Sequence, residues 1–281
     1  MTQSNQDNRG AKMQLQGKVA VVTGAGSGIG RAVAQALAQR GCHLALADRN
    51  QEGLAETAAL PELNSVKVSL HTLDVADRDA VAAFPQTVLA HHDRIDLLVN
   101  NAGVALAGSF EQVSETDFDW VMAINFHGVV RMTRAFLPLL HRSDDARIVN
   151  ISSLFGLISP PGQSAYSASK FAVRGFSNAL RHELADSRVG VTVVHPGGIA
   201  TSIARNARVS ADIPQAQMQE RLANSQKMLR MPPPKAADII VRGIEKRSAR
   251  VLVGSDAVVM SWLERLFPVR YWNLLARRAK L

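Results

Sequence analysis

The sequence contains one cysteine, few aromatic residues and no long apolar segment. A single cysteine, Cys42, excludes an intrachain disulfide, which fits a reducing compartment, and a small buried side chain is its simplest role. No uninterrupted apolar run reaches the roughly 20 residues that span a bilayer. Residues 1–16 are polar and lack the apolar core of a signal peptide. We therefore predict a soluble, cytoplasmic protein with a polar N-terminal extension over residues 1–16.

Metal ligands and determinants of nucleic-acid binding are also missing. The eight histidines show no His, Cys or carboxylate spacing typical of zinc sites, so we predict no metal. The net charge of +8 is concentrated in one part of the chain: residues 1–200 hold 17 Lys/Arg against 18 Asp/Glu, whereas residues 201–281 hold 15 against 6. No persuasive helix-turn-helix or aromatic context surrounds this basic part, and we predict no nucleic-acid partner.

A hydrophobic fraction of 47% in 281 residues is enough for a large core. Short apolar runs alternate with helical patterns, which predicts one domain of strands and helices over residues 17–257. The predicted strands are 18–22, 43–47, 66–73, 95–99, 147–151, 191–194 and 250–253. The main predicted helices are 31–38, 116–140, 165–184 and 235–246.

The first predicted strand ends in a glycine-rich turn, Thr23-Gly24-Ala25-Gly26-Ser27-Gly28-Ile29-Gly30, that leads into a helix. Glycines let the backbone turn sharply and approach a pyrophosphate, and a helix N-terminus offers unpaired N–H groups and a positive dipole end. A glycine-rich turn alone is weak evidence. Here the next predicted strand ends at Asp48, twenty-four residues after Gly24, which is the context expected for dinucleotide binding.

The ends of the second and third strands bear on the choice of cofactor. A carboxylate at Asp48 can accept hydrogen bonds from both adenosine ribose hydroxyls and repels a 2′-phosphate, which favours NAD over NADP. The adjacent Arg49 could bind a 2′-phosphate or be solvated, so NADP stays open. The third strand runs into Asp74-Val75, placed to border an adenine; capping of the next helix by Asp74 or Asp77 is equally compatible with the sequence.

Tyr166 and Lys170 lie four residues apart on the predicted helix 165–184 and therefore share one face. The free tyrosine pKa is about 10, and a nearby positive charge favours the phenolate. We predict that Lys170 brings the pKa of Tyr166 toward neutral pH. An isolated Tyr-x-x-x-Lys pair is more often an ordinary surface pair, and the surrounding motifs decide against that reading here.

Further short motifs stand in a fixed order along the chain: Asn100-Asn101-Ala102-Gly103, Asn125, Ser153 and Pro196-Gly197. In this order and spacing the chain resembles the short-chain dehydrogenase/reductase family from Gly17 to about Gly254. Its Thr-Gly-x-x-x-Gly-x-Gly loop differs from the Thr-Gly-x-x-Gly-x-x-Gly loop usual in the epimerase-rich branch. The resemblance implies an α/β doubly wound parallel sheet, the Rossmann fold, with a small mobile substrate cap over about residues 202–234.

The resemblance also implies catalytic roles. The family's active serine stands thirteen residues before the tyrosine, which selects Ser153 over Ser152. In ketone reduction Tyr166 would give its proton to the substrate oxygen, Ser153 would hold that oxygen, and Lys170 would lower the tyrosine pKa and bind the nicotinamide ribose. Asn125 would use its backbone carbonyl, freed by a local kink, to hold a water beside Lys170; a solvated or helix-bridging amide is the alternative.

The expected cofactor contacts combine the glycine turn and strand ends with positions implied by the resemblance, including a loop after Pro196 that would cover the nicotinamide. They are Thr23, Gly24, Ser27, Gly28, Ile29, Gly30, Asp48, Arg49, Asp74, Val75, Asn101, Ala102, Gly103, Tyr166, Lys170, Pro196, Gly197, Ile199 and Thr201.

The segments expected to surround the substrate are apolar. Residues 104–110 and 154–165 contain no Lys or Arg, which an anionic substrate would be expected to need. We predict an NAD(H)-dependent oxidoreductase that interconverts a small hydrophobic secondary alcohol and its ketone. The alternatives are an NADPH-dependent 3-oxoacyl-thioester reductase, with a basic entrance formed by Arg205, Arg208 and Arg221, and a non-catalytic dinucleotide-binding protein.

Residues 258–281 form an amphipathic, basic C-terminal segment that holds two of the three tryptophans. Pro268 is expected to divide the segment into two short helices, each with an apolar face that needs cover. The protein itself or a neighbouring subunit of a homodimer or homotetramer is the first expectation. Peripheral contact with an anionic membrane is the alternative, since aromatic residues opposite arginines are typical of interfacial helices.

Overall fold

The structure, a computed structural model, describes residues 12–203, 206–209 and 229–279. The strands are β1 (Val19–Thr23), β2 (His43–Asp48), β3 (Val68–Thr72), β4 (Leu97–Asn100), β5 (Leu106–Ala107), β6 (Ala146–Ile151), β7 (Val189–Pro196), β8 (Arg208–Val209) and β9 (Arg250–Val253). The α-helices are α1 (Gly28–Ala38), α2 (Gln51–Ala58), α3 (Arg78–Leu89), α4 (Glu115–Met122), α5 (Gly128–Leu140), α6 (Ser164–Glu183), α7 (Pro233–Glu245), α8 (Ser255–Leu266) and α9 (Tyr271–Ala279).

Seven strands form one parallel sheet in the order β3-β2-β1-β4-β6-β7-β9. The chain first adds strands on one side of β1 and then crosses to the other, so the switch point lies between β1 and β4. One apolar layer packs α1 and α7 on the sheet, and the opposite layer packs α3, α5 and α6. The predicted doubly wound α/β fold is confirmed.

Burial explains the composition of the strands. β1 and β4 are buried along their whole length because helices cover both faces, and they are correspondingly rich in valine and leucine. The edge strand β3 alternates between buried and less buried residues. Every predicted strand of the main sheet is present, although β3 and β4 each begin two residues later than predicted, at Val68 and Leu97.

The helix predicted over residues 116–140 consists of three segments. α4 and α5 are separated by one turn of π-helix, Ala123–His127, which contains Asn125. A π turn is a local kink and is frequent at functional sites. Helices α2 and α3 were not among the predicted helices: α2 has only eight residues, and Pro85 interrupts the helical pattern of α3.

The predicted polar extension over residues 1–16 is too long. Met13 and Leu15 are only 2% and 4% exposed, and the Met13 amide donates to the Glu245 carbonyl at 2.8 Å. Two apolar side chains separated by one polar residue place both on the buried face of an extended segment. The folded domain therefore begins before Gly17, and residues 1–11 lie outside the described part of the chain.

Most of the predicted cap over residues 202–234 lies outside the described residues. Its described part includes β8, which pairs in parallel with β5. The Arg208 guanidinium stacks 3.8 Å from the centre of the Trp120 ring and lies 2.7 Å from the Asp117 carboxylate. These contacts join the cap to α4.

The C-terminal segment begins as a helix earlier than the predicted boundary at residue 258, because α8 starts at Ser255. Pro268 separates α8 from α9, as the sequence predicts. The exposed large apolar side chains of this segment are Val258, Val259, Trp262, Leu266, Phe267, Val269 and Leu274. None of the helices within the described residues is long and apolar enough to cross a membrane.

Charged residues cluster at the amino-terminal edge of the sheet. The fully buried Asp96 carboxylate accepts hydrogen bonds from the Val19 amide at 3.0 Å, the Ser143 hydroxyl at 2.6 Å and the Arg94 guanidinium at 2.6 Å. Lys18 lies 3.4 Å from the same carboxylate. This network joins β1, β4 and the segment before β6 at the edge opposite the switch point.

Candidate active site

The predicted site residues gather at the carboxyl ends of the strands, around the switch point between β1 and β4. The glycine turn follows β1, Asp48 ends β2, Asn101 follows β4, Ser153 follows β6, and Pro196 ends β7. Parallel strands bring their carboxyl ends to one edge of the sheet, so residues far apart in the chain share one crevice.

The glycine turn is locked to β4 through Asn101. The Asn101 side-chain amide donates to the carbonyls of Thr23 and Gly24 at 2.9 and 3.1 Å. The Thr23 hydroxyl accepts from the amides of Asn101 and Ala102, each at 3.0 Å. Thr23 and Asn101 therefore hold the turn in shape, which is a different contribution from the cofactor contacts predicted for them.

Two glycines of the turn adopt backbone conformations that favour glycine. Gly24 and Gly28 have φ values of +65° and +54°. A Cβ atom at Gly30 would collide with the Gly24 carbonyl, so a side chain cannot be accommodated there. The result is a cradle of bare backbone at the N-terminus of α1, the arrangement that suits a pyrophosphate.

Asp48 reaches back to the same turn. Its Oδ2 accepts from the Gly26 amide and its Oδ1 from the Asn50 amide, each at 2.9 Å. These two bonds leave lone pairs free for ribose hydroxyls. Arg49 is exposed beside it.

The alternatives left open at the end of β3 are separated by the structure. Asp77 caps α3 by accepting from the amides of Asp79 and Ala80. Asp74 is exposed and accepts from the Ala76 amide at 2.8 Å, so it is not the helix cap. Val75 is buried and packs on Gly128, where a Cβ atom would lie 2.8 Å from its side chain.

Ser153, Tyr166 and Lys170 meet at the N-terminal part of α6. The Ser153 hydroxyl lies beside the Tyr166 phenol and accepts from the Phe155 amide at 3.1 Å. The Lys170 ammonium lies 5.7 Å from the centre of the Tyr166 ring and donates to the Ile151 carbonyl at 3.2 Å. Ser152 instead donates to the Lys170 carbonyl at 2.9 Å, which leaves Ser153 as the serine beside the phenol.

The net shift of the Tyr166 pKa is upward, opposite to the direction predicted from Lys170. Burial raises the pKa of Tyr166, and the neighbouring Ser153 hydroxyl opposes that rise only in part. Burial also lowers the pKa of Lys170 to about 8. A low dielectric disfavours each charged form, and sequence spacing alone does not reveal this burial.

Asn125 is buried in the π turn and bridges two neighbouring elements. Its side chain accepts from the Val104 amide at 2.8 Å and donates to the Val104 carbonyl at 3.0 Å and the Ser169 hydroxyl at 3.1 Å. A Cβ atom at Gly103 would lie 3.1 Å from its Oδ1 and 3.4 Å from the Lys170 Nζ. The Asn125 side chain therefore bridges neighbouring elements, and the predicted local kink occurs at this residue. A water bound to the Asn125 backbone carbonyl stays a prediction.

A buried polar chain that the sequence analysis missed supports this region. The Asn100 amide donates to Asn150 at 2.8 Å, and the Asn150 amide donates to Ser177 on α6 at 2.9 Å. These bonds tie α6 to β4 and β6. The signal in the sequence was an asparagine within each of two apolar strands, since a buried amide needs partners.

His195 is a second residue that the site prediction missed. It is fully buried, and its Nδ1 lies 3.0 Å from the Ser153 carbonyl. A carbonyl only accepts, so Nδ1 carries the hydrogen and the ring holds the backbone of Ser153 in place. Burial lowers the pKa of His195 to about 4, which keeps the ring neutral.

The loop after β7 contacts both α8 and the end of the cap. The Gly198 amide donates to the Asp256 carboxylate at 2.6 Å, and Ile199 forms a bridge with Met231. The side chain of Thr201 lies against Gly28, where a Cβ atom would be 3.2 Å away. Thr201 is therefore brought next to the glycine turn, as expected for a shared cofactor site.

The C-terminal segment packs on the loop that carries Ser153. The Tyr271 hydroxyl accepts from the Ser159 amide at 2.9 Å, and Met260 and Tyr271 pack against Leu154, Leu157 and Ile158. Phe155 meets the Tyr166 ring edge-on at 6.1 Å. The segment thus supports one wall of the site, which its sequence pattern did not predict.

Comparison with known proteins identifies the family. The short chain dehydrogenase family matches residues 18–212. A Mycobacterium tuberculosis protein named as an oxidoreductase, SadH, is 46% identical over 264 residues, covering 93% of this chain and 95% of its own. This chain belongs to the short-chain dehydrogenase family of oxidoreductases.

Solved structures agree with this assignment. A short-chain dehydrogenase/reductase from Burkholderia phymatum in complex with NAD has a TM-score of 0.84 and 30% identity, covering 91% of this chain and 95% of that one. A short-chain dehydrogenase from Mycobacterium paratuberculosis bound to NAD has a TM-score of 0.76 and 26% identity, covering 88% of this chain and 100% of that one.

Proposed function

We propose that the protein is an NAD(H)-dependent oxidoreductase that interconverts a small hydrophobic secondary alcohol and its ketone. The observation that carries the proposal is the grouping of the Ser153 hydroxyl and the Tyr166 phenol beside the buried Lys170. These three residues supply an oxygen-binding hydroxyl, a proton donor and a cation. Asp48 at the end of β2 and the NAD bound to the two similar structures support NAD as the cofactor.

The crevice fits a dinucleotide. The bare backbone from Gly24 to Gly30 would hold the pyrophosphate, and Asp48 would accept from the adenosine ribose. Ile199 and Thr201 would face the nicotinamide end, and Lys170 would bind its ribose. When bound, the cofactor supplies or accepts the hydride.

The side chains provide the proton chemistry. Because burial raises the pKa of Tyr166, the phenol is protonated at neutral pH and can donate to a substrate carbonyl oxygen. Ser153 already accepts from Phe155, so its own hydrogen can be donated to the same oxygen. The phenolate that remains is stabilised by the Lys170 ammonium until it regains a proton through the predicted water at Asn125. Alcohol oxidation reverses these steps.

The acyl-thioester alternative loses support at its basic entrance. Arg208 is engaged with Asp117 and Trp120 rather than directed toward a phosphate. Arg205 and Arg221 lie outside the described residues. A non-catalytic binding protein would not need the set formed by Asn125, Ser153, Tyr166 and Lys170, and the intact set favours an enzyme.

Coupled assays with NAD(H) and NADP(H) against a panel of secondary alcohols and ketones test the proposal. We expect turnover with NAD(H) and a loss of about a hundredfold or more in Tyr166→Phe, the usual effect of removing a general acid. Phe171→Tyr, five residues further along α6, serves as the control for altering an aromatic residue on this helix. If Tyr166→Phe binds NAD and its turnover stays within tenfold of the parent, the assignment of Tyr166 as the proton donor is contradicted.

We also propose that the exposed face of α8 contacts a neighbouring subunit of a homodimer or homotetramer. Trp262 and Leu266 are 58% and 64% exposed, and Val269 beyond α8 is 87% exposed. Deleting residues 258–281 would remove the contacts of Tyr271 with the loop that carries Ser153, so point variants test the subunit contact more cleanly. Trp262→Lys and Leu266→Lys should lower the oligomer mass in light scattering, whereas the control Leu70→Lys should not. If these two variants keep the oligomer mass of the parent but no longer sediment with anionic vesicles, the membrane alternative is favoured.

A further inference from the structure

Asp256 lies in the first turn of α8 and touches the loop expected to border the nicotinamide. Its Oδ2 accepts from the Gly198 amide at 2.6 Å, a short distance of the kind seen in charge-assisted hydrogen bonds. A Cβ atom at either Gly197 or Gly254 would collide with the same carboxylate. The two glycines therefore allow the carboxylate to lie directly against the backbone of the loop.

The loop is held from its other side by the end of the cap. The Gly198 carbonyl accepts from the Met231 amide at 3.0 Å, and the Ala200 amide donates to the Met231 carbonyl at 2.8 Å. Asp256 provides the side-chain contact from α8 that complements this backbone pairing. Because Ile199 and Thr201 follow Gly198 closely, their positions depend on both contacts.

We propose that Asp256 is a positioning residue for the nicotinamide end of the cofactor. This inference rests on the proposed function, because it takes the loop from Pro196 to Thr201 as the cover of the nicotinamide. Asp256 acts through Gly198 and does not itself touch the reacting atoms. Its place in the first turn of α8 suits a carboxylate, since the positive end of the helix dipole stabilises the charge.

Binding of NAD and of ADP-ribose, measured by calorimetry, tests the role without requiring turnover. ADP-ribose retains the adenosine, the pyrophosphate and a ribose but lacks the nicotinamide. In Asp256→Ala we expect the Kd for NAD to rise about tenfold, as loss of a charged hydrogen bond predicts, with the Kd for ADP-ribose within about twofold of the parent. Asp256→Asn keeps an acceptor oxygen and should recover most of the NAD affinity. Ser255→Ala and Glu264→Ala on the same helix are the controls.

A double-mutant cycle gives an independent readout. Gly197→Ala should weaken NAD binding in the parent, because the added methyl meets the Asp256 carboxylate, and weaken it much less in an Asp256→Ala background. Equal weakening of both ligands, no weakening of either, or additive effects in the cycle would overturn the positioning role. If Asp256→Ala loses affinity only for NAD but the parent turns over no alcohol, only the proposed function is contradicted. If the parent does not bind NAD, both proposals are overturned.

Discussion

Buried charged side chains at the two ends of the central sheet are paired to different extents. At the amino end, Asp96 is surrounded by donors from Arg94, Ser143 and the backbone, and these bonds stay within the protein. At the carboxyl end, Lys170 is buried and, within the part of the chain that the structure describes, donates to one acceptor, the Ile151 carbonyl. Burial lowers its pKa to about 8.

This difference in pairing changes the free-energy cost of burying each charge. Removing a charge from water is costly unless partners compensate for the lost hydration. At the amino end pairing offsets that cost and joins strands together. At the carboxyl end pairing offsets less of that cost for Lys170. In the proposed function this side chain stays available to the cofactor. Substitutions at the two ends should therefore separate stability from turnover.

Asp96→Ala should have the largest effect, and on stability. It leaves the Val19 amide without its acceptor and Lys18 and Arg94 without their buried partner, and we expect the free energy of unfolding to fall by about 3 kcal/mol. Denaturant titration measures the change, with the exposed Asp93→Ala as control. The folded fraction should keep the parent kcat; a large loss of kcat would show that the two ends are not separable.

Lys170→Met should produce the reverse result. Turnover is expected to fall about a hundredfold or more, since the cation beside the phenol is lost. Stability should rise by about 1 kcal/mol at pH 7, because the substitution removes a charge that burial disfavours while losing one bond to the Ile151 carbonyl. Steady-state kinetics and denaturant titration measure both effects, with exposed Lys246→Met as control. A marked loss of stability would contradict the comparison.

His195→Asn should alter the pH dependence of stability. The pKa of His195 is lowered to about 4 from the usual 6.5, so its contribution to stability is complete above pH 6.5 and is lost as the pH falls toward 4. Between pH 7 and pH 5 that loss is about 2 kcal/mol. The asparagine can still donate to the Ser153 carbonyl but does not titrate, so the variant should lose about 2 kcal/mol less than the parent over this interval. His141→Asn, at an exposed position, serves as the control variant.

Asp48→Asn should have the smallest effect. The amide keeps an acceptor oxygen for the Gly26 backbone but removes the charge that repels a 2′-phosphate. We expect the ratio of kcat/KM for NAD to that for NADP to fall about tenfold, or about 1.4 kcal/mol. Glu52→Gln, an exposed carboxylate on α2, provides the control. A parent enzyme that already prefers NADPH would contradict this account of Asp48.

The sequence predicted those parts of the fold and site that depend on local spacing. The glycine turn after β1, the four-residue separation of Tyr166 and Lys170 and the apolar strands all follow from short-range patterns. The kink at Asn125 was predicted from the family resemblance and occurs as a π turn. Local patterns suffice here because the backbone period fixes which side chains are neighbours.

The missed features depend on contacts between distant parts of the chain. Asp256 meets Gly198 and Tyr271 meets Ser159, pairs separated by 58 and 112 residues, and no spacing rule connects them. The predicted direction of the Tyr166 pKa shift was wrong for a related reason. It depends on burial by the assembled fold, whereas the prediction considered only the charge one helical turn away.

The packing of Tyr271 on the loop that carries Ser153 has a consequence for the order in which the protein folds during synthesis. Chains emerge from the ribosome amino end first, and N-terminal structure can form before the remainder is made. The strands and turn of the nucleotide crevice can therefore assemble while later codons are still being read. The contact between Tyr271 and Ser159 must wait until α9 has left the exit tunnel. A nascent chain should thus acquire its nucleotide crevice before the loop that carries Ser153 is fully supported.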